Sequence, residues 1–225
     1  MNVLLVNPGR REYLVKYFQN LKKKNKFSLY LIDADQYSPA FAVPQKKFNF
    51  VCPRASDKKN FIKFIKTFIS RYKINVVFPL SEYELEVLAE LKDFFIKKNV
   101  NIIISNLDVV KLCNNKLKCY NFFRLRGIKS PKIIDKKFLN KHLPVIKKEV
   151  YGNGSKNQII IRQKIHSKIN NDKNFFYQKY FQCTEIGIDI LNDLKGRYVH
   201  SCIKKKISMR SGDTDKAQII FSKKF

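Results

Sequence analysis

The first hundred residues alternate between short apolar runs and segments whose apolar side chains recur at helical spacing. The strands predicted in this way span residues 3–6, 28–32, 75–78 and 101–104. Residues 61–72 show the clearest helical spacing between two of them. Strands separated by helices predict a parallel, doubly wound sheet, which binds ligands at the carboxyl ends of its strands. Asp33 and Ser81 fall at such ends, although loop and helix capping explains both more simply.

The pattern changes near Asn106, where we expect a domain boundary that separates residues 1–105 from residues 106–225. Two helices are predicted between residues 108 and 125, and Gly127 follows as a helix stop. The chain then becomes rich in strands. The predicted strands span residues 145–147, 158–162, 174–179, 185–191 and 198–206.

The segment from residue 144 to residue 161 is the most informative part of the chain. The chain has only seven glycines, and Gly152 and Gly154 lie here between two apolar strands. Glycine gives the turn backbone freedom, while Ser155 and Lys156 add donors, so the turn could cover phosphate groups as a lid. Lys147, near the end of the first strand, would place a second cation beneath that lid. An ordinary hairpin turn would also use glycine and asparagine, and this alternative stays open.

Two familiar phosphate motifs are excluded. A Walker loop needs glycine, lysine and serine or threonine at the start of a helix, whereas this turn leads into an apolar strand. The turn from Asn7 to Arg10 has one glycine where a dinucleotide fingerprint has three. We therefore expect neither a P-loop NTPase nor NAD binding.

Composition indicates a globular protein. The chain has 225 residues, of which 44% are hydrophobic, and no apolar run approaches the roughly 20 residues that cross a bilayer. It begins without a basic leader, so we expect a cytoplasmic protein that does not contact membranes. The five cysteines include no C-x-x-C pair and the three histidines lack metal-ligand spacing, so zinc sites and disulfides are not expected.

The formal net charge of +28 raises nucleic acid as a partner. However, 37 of the 46 basic residues are lysines, and they are scattered along the whole chain rather than grouped in a motif. This distribution predicts non-specific binding to polyanions, with strong salt dependence and no sequence preference. A dedicated nucleic-acid-binding function is the weakest of the alternatives.

Several landmarks, taken in order, resemble the ATP-grasp superfamily, in particular its carbamoyl-phosphate-synthase-like and carboxylate–amine-ligase-like members. The resemblance extends over nearly the whole chain. Its carriers are the segments 33–40, 77–85, 115–116, 127–131, 144–147, 151–156, 177–189 and 209–213. It implies an α/β chain in which a Rossmann-like pre-ATP-grasp domain with a parallel sheet precedes an incomplete α+β ATP-grasp domain.

The resemblance also implies ATP as the cofactor and a role for each matching residue. Lys116 and Lys147 would contact phosphates beneath a lid formed by Gly152, Gly154, Ser155 and Lys156. The hinge formed by Lys179, Tyr180 and Phe181 would meet the adenine edge, with Gln178 just before it. Glu185 would accept hydrogen bonds from the ribose, and Arg210 would face the transferred phosphoryl group as the catalytic residue. From the residues alone, Lys116 could equally be a helix-surface lysine and Glu185 an ordinary strand residue.

The function implied is activation of a small-molecule carboxylate as an acylphosphate, followed by coupling to an amine or similar nucleophile. The family holds Mg²⁺ with later acidic residues, so we expect the metal ligands beyond Phe225. On this basis the isolated chain should bind nucleotide without turning it over. A truncated or degenerate nucleotide-binding module that acts as a partner subunit is the alternative.

Overall fold

The computed structural model describes residues 1–43, 48–152, 154–155, 157–166, 172–210 and 213–221. The chain forms two compact units, Met1–Lys111 and Leu112–Phe225. We call them the N-terminal unit and the C-terminal unit. Helix α5 (Leu107–Asn114) contains the point of division.

The N-terminal unit is built on a five-stranded parallel sheet with the strand order β3-β2-β1-β4-β5. Before α5, its elements are β1 (Asn2–Val6), α1 (Glu12–Lys24), β2 (Ser28–Asp33), β3 (Asn49–Val51), α2 (Lys58–Arg71), β4 (Val76–Pro79), α3 (Leu85–Glu90), α4 (Lys92–Ile96) and β5 (Asn101–Ile102). Short 3-10 helices span Pro39–Ala42 and Glu82–Glu84.

The apolar run of β1 is continuous because this strand is buried on both faces of the sheet. Leu4 and Val6 belong to one hydrophobic cluster, with α2 and α3. Val3 and Leu5 belong to a second cluster, together with Val15 of α1. Alternate side chains of a strand point to opposite faces, so this division follows directly from the strand geometry.

Asp33 ends β2 with its carboxylate buried and bound to backbone. Its Oδ2 accepts a hydrogen bond from the Gly9 N–H at 2.9 Å, and its Oδ1 accepts one from the Asp35 N–H at 2.9 Å. Ser81 accepts a hydrogen bond from the Tyr83 N–H and forms a capping box with Glu84. The capping interpretation of both residues is therefore confirmed.

Glu84 is a fully buried carboxyl group at the carboxyl edge of this sheet. Its Oε2 accepts a hydrogen bond from Asn7 Nδ2 at 2.9 Å, and its Oε1 accepts one from the Ser81 N–H at 2.9 Å. Burial raises the pKa of Glu84 to about 7, and these hydrogen bonds oppose the rise only in part.

The C-terminal unit contains two three-stranded antiparallel sheets. Their strand orders are β7-β6-β8 and β11-β10-β9. After α5, the elements are α6 (Lys116–Leu125), β6 (Val145–Glu149), β7 (Ile159–Ile161), β8 (Phe175–Lys179), β9 (Ile186–Asn192), β10 (Tyr198–Arg210) and β11 (Asp213–Ile219), with a 3-10 helix at Lys136–Lys141. The first sheet packs Val145 and Tyr177 against Ile134 and Leu139.

The parallel sheet followed by antiparallel strands confirms the fold class expected from the sequence. Two strands were not predicted, β3 (Asn49–Val51) and β11 (Asp213–Ile219), and β5 ends at Ile102 rather than at residue 104. In the part of the chain that the structure describes, none of the helices has the length and hydropathy needed to cross a membrane.

The buried carboxyl of Glu84 predicts a specific dependence of stability on pH. The folded chain releases this proton near pH 7 and the unfolded chain near pH 4.5. The stabilising contribution of Glu84 is therefore complete below about pH 4.5 and is lost as the pH rises through about 7. The free energy of unfolding of the wild type, minus that of Glu84→Gln, should fall by on the order of 3 kcal/mol between pH 4.5 and pH 8.

Urea denaturation followed by circular dichroism measures this difference, and the subtraction removes the titration of all other groups. A difference that does not change with pH would show that Glu84 ionises as readily in the fold as in the unfolded chain.

Candidate functional site

Strand β6 carries two adjacent lysines whose side chains lie on opposite faces of its sheet. The register pairs Lys147 with Tyr177 and Lys148 with Phe176 of β8. Side chains on a strand alternate, so Lys147 shares a face with the fully buried Val145, whereas Lys148 lies on the other face.

Lys147, the predicted phosphate ligand, lies on the face that packs into the hydrophobic cluster of the C-terminal unit. Its Nζ is 4.0 Å from the centroid of the Phe175 ring, a cation–π contact. The apolar stem and the ring contact explain why a lysine is tolerated beside Val145. The structure does not bring Lys147 to the other predicted site residues.

Lys148, rather than Lys147, contacts another of the predicted site residues. Its Nζ donates a hydrogen bond to Gln178 Oε1 at 3.0 Å, and Gln178 Nε2 donates to the Pro131 carbonyl at 2.8 Å. Burial lowers the pKa of Lys148, the charge of Lys116 lowers it further, and Glu185 opposes both effects. Lys148 is therefore held by Gln178 and lies within reach of the charges of Lys116 and Glu185.

Lys116 begins helix α6 and is fixed against the end of β6. Its N–H donates to the Val150 carbonyl at 3.0 Å, and its Nζ donates to the Gly152 carbonyl in the lid. The preceding Asn115 caps the helix by accepting from the Lys118 N–H. The helix start and the lid thus meet at Lys116.

The lid between β6 and β7 adopts the left-handed backbone that the glycine pattern predicted. Gly154 has φ +63°, and Ser155 and Asn157 also have positive φ values of 53° and 58°. Asn157 Nδ2 donates to Glu149 Oε1 at 2.8 Å and ties the far side of the turn to β6. Lys156, a predicted lid donor, lies outside the described residues.

The hinge after β8 has two of its three N–H groups engaged in backbone hydrogen bonds. The Lys179 N–H donates to the Lys132 carbonyl at 2.9 Å, and the Tyr180 N–H donates to the Pro144 carbonyl at 3.2 Å. Within the described part of the chain, the Phe181 N–H has no hydrogen-bond partner. The exposed Phe181 is thus the hinge residue whose backbone can meet a ligand.

Glu185 lies close enough to Lys148 to raise its pKa, and its carboxylate also accepts a hydrogen bond from Lys206 Nζ at 2.9 Å. Arg210 is different. It ends β10 four residues beyond Lys206, which corresponds to roughly 13 Å of extended strand. Within the described residues, Arg210 forms no hydrogen bond or ion pair with Lys116, Lys148, Gln178 or Glu185.

The described residues therefore bring together Lys116, Lys148, Gln178, Glu185 and the lid. The sequence did not single out Lys148, because both lysines follow two apolar residues, and two adjacent apolar residues do not show which alternate side chains of a strand face the core. The burial of Val145 supplies this information.

The described part of the chain holds no group of three or more histidine, cysteine, aspartate or glutamate side chains that could bind a metal ion. These residues do not fit the Mg²⁺ site that ATP chemistry implies.

Comparison with known families assigns both halves of the chain. Residues 3–103 match the family described as PylC-like, N-terminal domain, and residues 113–220 match the family described as ATP-grasp domain. The chain belongs to the ATP-grasp superfamily and has an N-terminal PylC-like domain in front of an ATP-grasp domain. Among curated proteins, none is similar enough in sequence to count as a relative.

Solved structures share this fold at low sequence identity. N5-carboxyaminoimidazole ribonucleotide synthetase from Thermotoga maritima aligns with a TM-score of 0.61 and 14% identity, over 91% of this chain and 53% of its own. Biotin carboxylase from Campylobacter jejuni, in a complex with β,γ-ATP, gives 0.66 and 16% over 95% and 52%. L-amino acid ligase from Bacillus licheniformis gives 0.63 and 14% over 99% and 56%. This chain spans about half the length of these three proteins.

The pKa of Lys148 tests the geometry of this site without any ligand. Lys116→Gln removes a neighbouring positive charge and should raise the pKa of Lys148, whereas Glu185→Gln removes a negative charge and should lower it. The ¹³Cε chemical shift of lysine, followed by NMR against pH and assigned with Lys148→Arg, measures both changes.

Lys118→Gln is the matched control, because Lys118 is an exposed lysine on the same helix. A Lys148 pKa that responds equally to Lys116→Gln and Lys118→Gln would contradict a specific contact with Lys116.

Proposed function

We propose that the chain binds ATP on the Lys148 face of the β7-β6-β8 sheet and belongs to a ligase that activates a carboxylate. The single observation that carries this proposal is the placement of two cations near the lid. Lys116 Nζ donates to the Gly152 carbonyl of the lid, Lys148 Nζ donates to Gln178 Oε1, and the charge of Lys116 lowers the pKa of Lys148. A polyphosphate bound beside them would offset the repulsion between the two ammonium groups.

The surrounding residues suit the remaining parts of a nucleotide. The lid contributes a turn with left-handed backbone, whose N–H groups can approach phosphate oxygens. The Phe181 N–H is available to the adenine edge, and its exposed ring offers apolar contact. The carboxylate of Glu185 can accept hydrogen bonds from ribose hydroxyls. Gln178 has both polar atoms occupied, so we assign it to holding Lys148 in place.

The reaction that we propose is carboxylate activation. A carboxylate oxygen attacks the γ-phosphorus of ATP, the bond to the β-phosphate oxygen breaks, and an acylphosphate and ADP form. An amine then attacks the acyl carbon, and inorganic phosphate leaves with the electron pair of the C–O bond. Lys116 and Lys148 would stabilise the charge on the phosphates during the first step. We also propose, as the resemblance implies, that Arg210 faces the transferred phosphoryl group.

Support for this proposal comes from family membership and from the fold shared with proteins described as synthetases and ligases. The substrates of those proteins are their own, and this chain spans about half of their length. The identity of the carboxylate and of the nucleophile is therefore left to experiment.

Substitution of the two adjacent lysines decides which one binds phosphate. Lys148→Met should weaken ATP binding about tenfold or more, because a charge-assisted hydrogen bond in a half-buried site contributes roughly 1.5 to 3 kcal/mol. Lys147→Met, on the opposite face, should change the affinity less than about twofold. Calorimetric titration of ATP and ADP at one salt concentration measures both.

Lys147→Met is the matched control, since it removes the same charge from the next residue of the same strand. If Lys147→Met is the damaging change, the assignment from the sequence is correct and the face assignment fails. If the wild type binds no nucleotide, the proposed function fails.

A further inference from the structure

The three residues that follow β6 form the root of the lid, and three hydrogen bonds attach this root to the start of helix α6. The Lys116 N–H donates to the Val150 carbonyl at 3.0 Å, and Lys116 Nζ donates to the Gly152 carbonyl. Asn115 Nδ2 donates to the hydroxyl of Tyr151 at 2.7 Å. Tyr151 therefore lies between the two residues whose carbonyls contact Lys116.

Asn115 is a fixed anchor for the Tyr151 hydroxyl. It is buried, and its Oδ1 caps helix α6 by accepting a hydrogen bond from the Lys118 N–H at 2.9 Å. This cap determines the orientation of the amide, because only Nδ2 is left to face Tyr151. The position of the Tyr151 hydroxyl is thus set by the helix itself.

Glu149 limits the other side of the root. A side chain at Gly152 would collide with the Glu149 carboxylate, so the root lies directly against the end of β6. The same carboxylate accepts the hydrogen bond from Asn157 Nδ2. With Tyr151 tied to helix α6 and Glu149 packed beside Gly152, the Gly152 carbonyl is confined from both sides.

The Gly152 carbonyl in turn orients the ammonium group of Lys116. A free lysine side chain samples many rotamers, so a fixed acceptor decides where its charge lies. Within the described residues, Lys116 Nζ has no other partner. An ammonium group has three N–H donors, and the contact with Gly152 therefore leaves two of them for phosphate oxygens.

We propose that Tyr151 is a positioning residue, whose hydrogen bond to Asn115 fixes the Gly152 carbonyl so that this carbonyl holds the Lys116 ammonium in place. Tyr151 needs no contact with the nucleotide in this role. That the positioned charge serves a polyphosphate rests on the proposed function, whereas the positioning of Lys116 rests only on the hydrogen bonds of the root.

Tyr151→Phe tests the proposal without any ligand. The Tyr151 ring is exposed, so loss of its hydroxyl leaves no cavity in the fold. The charge of Lys116 lowers the pKa of Lys148. A Lys116 ammonium that is no longer held should move away from this like charge, and the pKa of Lys148 should rise, as in Lys116→Gln but by a smaller amount. The ¹³Cε chemical shift of Lys148, followed by NMR against pH, measures the change.

Two controls separate positioning from a general effect on the fold. Tyr120→Phe removes a hydroxyl of α6 that has no hydrogen-bond partner in the described part of the chain, and it should leave the pKa of Lys148 unchanged. Tyr151→Phe added to Lys116→Gln should cause no further rise, since the residue through which Tyr151 acts is then absent. An unchanged pKa in Tyr151→Phe, or an equal rise in the Lys116→Gln background, would overturn the proposal.

Calorimetric titration with ATP at one salt concentration measures the consequence for the proposed function. Tyr151→Phe should weaken ATP binding about threefold or more, because a lysine that is not held in advance loses more entropy on binding. The Lys116→Gln variant should bind ATP equally with and without Tyr151→Phe. Wild-type affinity in Tyr151→Phe would overturn the proposal. A wild type that binds no ATP would reject the proposed function, and the pKa of Lys148 would then decide by itself whether Tyr151 positions Lys116.

Discussion

The alternation of side chains along β6 is the constraint on which the proposed nucleotide site depends. β6 is the central strand of its sheet, and Val145 is fully buried on one face. This burial fixes the register, because a shift of one residue would expose Val145 and bury the Lys148 face instead. Lys147 and Lys148 are therefore not interchangeable, although they are chemically identical neighbours.

Much of the fold could be predicted because most elements carry a strong local pattern. The buried strands β1 and β2 and the amphipathic helix α2 have apolar patterns that need no tertiary information. β3 escaped prediction because it has only three residues and pairs with β2 alone. A short edge strand is specified mainly by its partner, which the sequence does not reveal.

The candidate site also contains features that depend on tertiary contacts and could not be predicted from the sequence. The glycine-rich lid could be found from the sequence, because glycine spacing is a local signal and Gly154 does adopt a left-handed conformation. Which of Lys147 and Lys148 lies near Gln178 and Glu185 could not be predicted, because it depends on which face of β6 is buried. The buried face is set by the packing of Val145 in a cluster that includes Tyr177, which is distant in the sequence.

The position of Gln178 has a consequence for the charge at the site. A glutamate at this position would form an ion pair with Lys148. Glutamine holds the ammonium by a hydrogen bond to Oε1 without neutralising its charge. The carboxylate that affects Lys148 is that of Glu185, and Glu185 is shared with Lys206. More of the charge of Lys148 is thus left for a phosphate, and Lys116 adds to it.

The two units present different cations in different settings. In the C-terminal unit, single ammonium groups lie beside a turn whose backbone can approach phosphate oxygens, and a compact point charge suits an anion already surrounded by N–H donors. In the N-terminal unit, by contrast, Arg10, Arg11 and Arg54 line a cavity to which no described lysine contributes. A guanidinium presents several donors in a fixed plane, whereas an ammonium acts as a compact point charge, so the two units offer an anion different kinds of contact.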